Sequence, residues 1–286
     1  MNVIQLTALD LAVAALLVVA LALVSHLMRL RLSGQLLLAA ARTTIQLLLV
    51  GMLLKVIFER AQPSWLAAMA TVMLFISGYE VMRRQQRRLK GWWGYGVGTL
   101  SMFISSFSIT FMALTVIVGN TPWYEPRYAI PLLGMMLGNT MTGVALGLDR
   151  LTLAAWQQRS VIEAKLILGQ SARQAIADIR NQSIRGGLIP IINSMSIAGL
   201  VSLPGMMTGQ ILGGSPPQEA VRYQILIMFL IAAGTGFGTL VAVWGASLRL
   251  FDQRQRLRLE RLTKARAPEA WTRPGGGYRL RQRRST

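Results

Sequence analysis

Charge is missing from long intervals of this chain, and that constrains the fold more than any motif does. Apolar runs near twenty residues occupy about 6–27, 36–57, 64–82, 97–118, 128–148, 187–211 and 221–247. At 1.5 Å per residue each run is long enough to cross a hydrocarbon core roughly 30 Å thick. Lipid offers no hydrogen bonds, so the backbone must satisfy itself, which a helix does within one segment. The expectation is an all-α, polytopic membrane protein with about seven transmembrane helices. Residues 1–250 form its membrane domain, with an inner loop at about 149–185. Residues 251–286 form a basic tail, partly helical and then disordered. The first run, Leu11 to Val24, has neither a basic segment ahead of it nor a small-residue cleavage site behind it, so it is expected to be retained.

The chain carries a net charge of +19, which in a soluble protein would suggest a nucleic-acid partner. Its distribution points to the bilayer instead. Lys and Arg remain on the cytoplasmic side of short loops, and 25 of the 30 basic residues follow the first, third, fifth and seventh runs. That places the N-terminus outside and the C-terminus in the cytoplasm. Trp123 and Tyr124 on the outer side, and Trp92, Trp93 and Tyr95 on the inner side, suit interfacial belts. The tail attracts anionic lipid head groups, about 1 kcal/mol per basic residue near the surface. It lacks the interleaved aromatic motif of a nucleic-acid binder, and no nucleic-acid partner is expected.

The stretch Gly186–Gly214 is apolar enough to enter the membrane, yet contains Pro190 and Pro204 together with Asn193, Ser194 and Ser196. Freed backbone and polar side chains at that depth need a cavity or protein around them, so this stretch is expected to line a transport path. Its segment Gly205-Met-Met-Thr-Gly echoes Gly134-Met-Met-Leu-Gly. Asn139, Thr140, Met141, Asn193, Ser194, Met195, Met206 and Met207 are the path candidates, and the two Gly-Met-Met segments are expected to meet as an outer gate. The methionines suit either a soft metal ion or helix packing. Arg42 and Glu80 lie inside apolar runs at similar depth and form a candidate ion pair; the alternative pairs Glu80 with Arg83 or Arg84.

In the inner loop, Ser160 stands three residues before Glu163 and Ser171 three before Gln174, the spacing of two capping boxes. Helices over about 161–168 and 172–181 are predicted, with Gly169 closing the first. Ala172, Ala175, Ile176 and Ile179 share one face, which packs either on the protein's own inner surface or on a partner. The sequence holds one histidine, no cysteine and no clustered carboxylates, so neither catalytic nor metal-ligand spacing appears. It also lacks a P-loop, so active transport draws its energy either from another chain's ATP hydrolysis or from an ion gradient, the latter as a secondary carrier of metal or small solutes acting without an ATPase.

Glu163-Ala164-Lys165 with Gly169, and Ile179 ten positions on, resembles the coupling loop of ABC-transporter permeases, with Lys165 where that motif has Ala. The runs Gly134–Gly143, Leu148–Leu151, Asn193–Ser196, Leu203–Gly214 and Glu219–Gln224 are similar to a family of bacterial iron-exporting ABC permeases with plant relatives linked to aluminium tolerance. The likeness implies a permease subunit in a bacterial inner membrane, paired with a second copy and with a cytosolic ATPase that carries ATP and Mg. It implies metal efflux, with the metal-contact residues unknown, and no cofactor held by this chain. Glu163, Ala164, Gly169, Ile176 and Ile179 would couple to the ATPase.

Overall fold

The structure is a computed structural model that describes residues 7–264 apart from Arg31, Ala61 and Asn120. Its elements are helices: α1 (Ala8–Leu27), α2 (Ser33–Arg60), α3 (Pro63–Arg84), α4 (Trp92–Met102), α5 (Ser108–Met112), α6 (Pro126–Gln157), α7 (Arg159–Ile167), α8 (Ala172–Ala175), α9 (Ala177–Ile197), α10 (Gly205–Leu212) and α11 (Pro217–Arg249). Two π-helical segments, Phe103–Phe107 and Ala113–Val118, flank α5 and make 92–118 one helical rod. Among the described residues, six helices are long and apolar enough to cross a membrane: Leu9–Leu27, Ser33–Glu59, Pro63–Arg84, Trp92–Val118, Pro126–Gln157 and Pro217–Arg249. Their outward faces carry bare apolar side chains such as Leu17, Leu47, Phe75, Val116 and Phe229, the surface a lipid-embedded helix presents.

The predicted sixth span, 187–211, is not a single helix. Its first part belongs to α9, which starts at Ala177 and runs through Pro190 without a break. The chain then turns at 198–204, where Gly199 takes φ +82, and resumes as α10 with Pro204 at the N-cap. Proline tolerates a first-turn or capping position because no amide is needed there.

Two compact units divide the fold. The first comprises the chain to Phe75 with 106–138 and 191–234; in it α1 packs on α2, and Ala22, Ser25 and Ile57 are buried. Trp123 stacks edge-on against Phe111, with ring centroids 5.2 Å apart. The second unit comprises 76–105, 139–190 and the chain from Thr235. Its centre is a close crossing of α6, α9 and α11. A Cβ placed on Gly143 would lie 2.6 Å from Thr235 Cγ2 and 2.8 Å from Thr239 Oγ1. One placed on Gly187 would lie 2.6 Å from the Gly143 carbonyl oxygen. Gly143 and Gly147 are four apart, the small-xxx-small spacing that lets membrane helices touch through their backbones. Val144, Leu151, Ala242, Val243 and Ala246 fill the space around this crossing.

The charged run after Leu250 does not continue as a helix. From Phe251 to Lys264 the described chain has one 3₁₀ turn, Leu259–Arg261, and folds back on the second unit. Asp252 organises it: Oδ1 accepts the Arg254 and Arg256 amides, and Oδ2 accepts from the Arg256 and Arg258 guanidiniums at 3.0 and 3.1 Å. Arg261 Nη1 donates to the Arg249 and Phe251 carbonyls, closing the C-terminal end of α11. Leu262 is buried beside Leu89, and the Thr263 amide donates to the Arg88 carbonyl. The predicted disordered part of the tail lies outside the described residues.

Candidate functional site

The inner loop builds a compact projection from three short-range devices. First, α6 ends at Gln157 and α7 begins two residues later, with Gln158 bent out of helical geometry between them. The predicted Ser160–Glu163 capping box does not form. The Ile162 amide is already satisfied by the Gln158 carbonyl, so no free helix start exists for Ser160 to cap. Second, α7 stops at Gly169, whose φ of +85 lies in the left-handed region. The Gln170 amide donates to the Lys165 carbonyl and the Gly169 amide to the Leu166 carbonyl, the two bonds of a Schellman cap. Third, the predicted Ser171–Gln174 box is present: the Ser171 amide donates to Gln174 Oε1 at 3.0 Å and the Gln174 amide to Ser171 Oγ at 3.4 Å.

The predicted helix 172–181 is divided at Ile176 into α8 and the start of α9, and α9 passes the expected end at 181. The polar run Asn181–Ser183 does not stop it, because Ser183 turns its hydroxyl back to the Ile179 carbonyl at 2.7 Å. Lys165 Nζ clamps α7 to α9 through Asp178 Oδ2 at 2.8 Å. That hydrogen bond, with the ammonium charge, holds the Asp178 carboxyl below its ordinary value.

The projection has a dry underside and a bare apolar tip. Ile162, Ile176 and Ile179 are buried, with Ile162 at 0% and Ile176 at 1% exposure, so the shared face of α8 and α9 packs within this chain. At the tip, Ile167 is 86% and Leu168 82% exposed, next to the exposed Gly169. Val161, Glu163 and Ala164 are exposed along α7. Two large aliphatic side chains at the end of a capped helix are expensive in water, about 25 cal/mol per Å² of apolar surface, unless another surface covers them. Ile167 and Leu168 were not among the sequence candidates. Their signal was the apolar pair immediately before a helix-closing glycine.

The path candidates divide between the two units. In the second, Asn139 is exposed, Met141 half-buried and Thr140 fully buried. Thr140 packs against α11, where a Cβ on Gly238 would lie 2.5 Å from its Cγ2. In the first unit, Asn193, Ser194 and Met195 are exposed on α9, and Met206 and Met207 are half-buried on α10. A Cβ on Gly205 or Gly209 of α10 would meet nothing within 4 Å. Arg42 lies exposed on α2 in the first unit, and Glu80 half-buried on α3 in the second. Among the described residues no group of three or more His, Cys, Asp or Glu side chains gathers that could hold a metal ion.

Six apolar helices with lipid-type surfaces define a multi-pass membrane protein. The chain belongs to the uncharacterised protein family UPF0014, whose model matches residues 8–251. A UPF0014 membrane protein of Synechocystis sp., slr1647, is 42% identical over 80% of this chain and 87% of its own. The probable iron export permease protein FetB of Escherichia coli is 33% identical over 92% of this chain and 100% of its own. The Arabidopsis thaliana protein ALUMINUM SENSITIVE 3 is 34% identical over 78% of this chain and 80% of its own. The probable iron export permease and the plant protein ALUMINUM SENSITIVE 3 match the family resemblance of the sequence motifs. No solved structure matches this chain.

Proposed function

We propose that this chain is the membrane-spanning permease subunit of an ATP-driven exporter whose substrate is a metal ion, iron being favoured by the name of the Escherichia coli relative. The observation that carries the reading is the bare apolar tip Ile167–Leu168 on a helix closed by the Gly169 cap and clamped by the Lys165–Asp178 pair. A capped, clamped helix with an uncovered tip suits docking into the groove of a partner, here a cytosolic ATPase that carries ATP and Mg. Glu163, Ala164 and Gly169 frame the contact, while Ile176 and Ile179 transmit displacement from beneath. In this reading α9 and α10 together make the seventh crossing, the N-terminus lies outside and the C-terminus in the cytoplasm of a bacterial inner membrane.

The exposed amide side chain of Asn193 on α9 must not face lipid. A second copy of the chain covers it and encloses the path, with Met195, Met206 and Met207 offering thioether donors to the ion. The basic tail rests on anionic lipid.

Co-purification tests the reading. Detergent-solubilised chain expressed with its genomically adjacent P-loop ATPase should bring that ATPase down and raise its hydrolysis rate. Ile167→Ser with Leu168→Ser should lose both. Undiminished ATPase binding by the double variant would reject the docking surface. Metal efflux from cells lacking any such ATPase would reject ATP drive.

A further inference from the structure

Arg180 is a buried cation with no counter-charge among the described residues. Its residue is 8% exposed, its guanidinium stacks 4.2 Å from the ring centroid of Trp244, and its buried Nε makes no hydrogen bond. No carboxylate among the described residues lies within ion-pair distance of it. A stacked ring stabilises a guanidinium, but far less than burial without a counter-charge costs.

The same side chain lines a cavity of about 240 Å³ together with Arg173, Ile176, Ser247, Phe251 and Gln255. Asp252 is the one carboxylate at this cavity, and its oxygens are taken by the Arg256 and Arg258 guanidiniums and by two backbone amides. Gln255 Oε1 accepts the Ala172 amide at 2.8 Å, which leaves its amide nitrogen to donate elsewhere. Ser247 Oγ gives its proton to the Trp244 carbonyl. The cavity therefore offers two guanidiniums and an amide as donors beside an apolar wall of Ile176, Leu248 and Phe251.

We propose that this cavity is a binding site for a phosphate-bearing anion, with Arg180 and Arg173 as its ligands. Guanidinium forks match phosphate oxygens in pairs, and the apolar wall suits the carbon group attached to the phosphate. The occupant joins the start of α9 to the last turns of α11 and to the Asp252 knot. Two sources share this chemistry: the head group of an anionic lipid and a soluble phosphate.

The test uses the purified full chain in a neutral detergent, with Tm followed against dioleoylphosphatidylglycerol, dioleoylphosphatidylcholine and inorganic phosphate. A saturable rise with phosphatidylglycerol and none with the other two assigns the lipid source. A rise with inorganic phosphate as well assigns the soluble one. Arg180→Gln should shift the midpoint of that rise at least tenfold, with Arg180→Lys intermediate because charge remains and the fork is lost. Arg173→Gln, at an exposed position, should shift it several-fold and keeps the test intact should Arg180→Gln fail to fold. The basic tail also attracts anionic lipid, but its attraction does not depend on either arginine. A response unchanged in both glutamine variants, or no rise with either phosphate source, overturns the site.

Discussion

At Gly169 the backbone sits at φ +85 with open space around the missing Cβ. A side chain there meets no neighbour and costs only the left-handed strain, about 1–2 kcal/mol. Gly169→Val should therefore insert and fold nearly as the parent does, while ATPase stimulation falls because the α7–α8 turn is reset. Normal stimulation with normal expression would count against a coupling role. Gly187 is the opposite case. Its Cβ would lie 2.6 Å from the backbone oxygen of Gly143, which cannot swing aside as a flexible side chain does. Gly187→Ala should lower thermal stability by about 1–3 kcal/mol, whereas Gly209→Ala in α10, where nothing lies within 4 Å, should be neutral or stabilising by roughly 0.5–1 kcal/mol. Melting curves of the two alanine variants in one detergent decide between them. Asp252 carries a third expectation at this scale. The hydrogen bond from the Arg256 amide, then the guanidiniums, lower its carboxyl to about 2. A depressed carboxylate contributes fully above its unfolded value near 3.9 and loses that contribution as pH falls through about 2. Hydrogen exchange in residues 252–262 should therefore show no release of the knot between pH 8 and 5 beyond the intrinsic pH dependence, and release towards pH 2. Asp252→Asn should release it at neutral pH, freeing the backbone at the exposed Arg254 and Arg256 for trypsin cleavage.

Elements whose boundaries depend on a few adjacent residues were readable from the sequence, and those decided by distant contacts were not. Ser171 with Gln174, and Gly169 as a closing residue, are local devices, and both appear as expected. Ser160 with Glu163 has the same spacing but follows a helix that has scarcely ended, so its amides were never free. The run after Leu250 has helical periodicity, yet Asp252 gathers four donors from the following turn and Arg261 reaches back to the end of α11. Nor could the burial of Arg180 be read, since the ring that covers it, Trp244, stands on a helix far along the chain. Within the inner loop, burial and exposure make opposite predictions for two isoleucines. Ile162 at 0% exposure is core, and Ile162→Ala should cost about 2–5 kcal/mol. Ile167→Ser should leave the melting temperature unchanged within error and weaken the ATPase contact. Thermal unfolding read beside co-purification separates the two.

Over the whole molecule, the apolar runs located the six long helices, because lipid leaves a helix little alternative, but α6 runs on to Gln157, well past the expected end at 148. The broken stretch Gly186–Gly214 was legible as broken but not as a helix reaching back to Ala177, since Gly186 and Gly187 look like punctuation and instead serve close packing. The central claim, that this chain carries a metal ion outward on another chain's ATP hydrolysis, is tested most directly in inside-out membrane vesicles. Vesicles holding this chain and its P-loop partner should accumulate radiolabelled iron only when ATP is supplied. Dissipating the proton gradient should leave that accumulation intact, and the Ile167→Ser, Leu168→Ser variant should abolish it. Accumulation that needs no ATP and vanishes with the proton gradient would contradict the account.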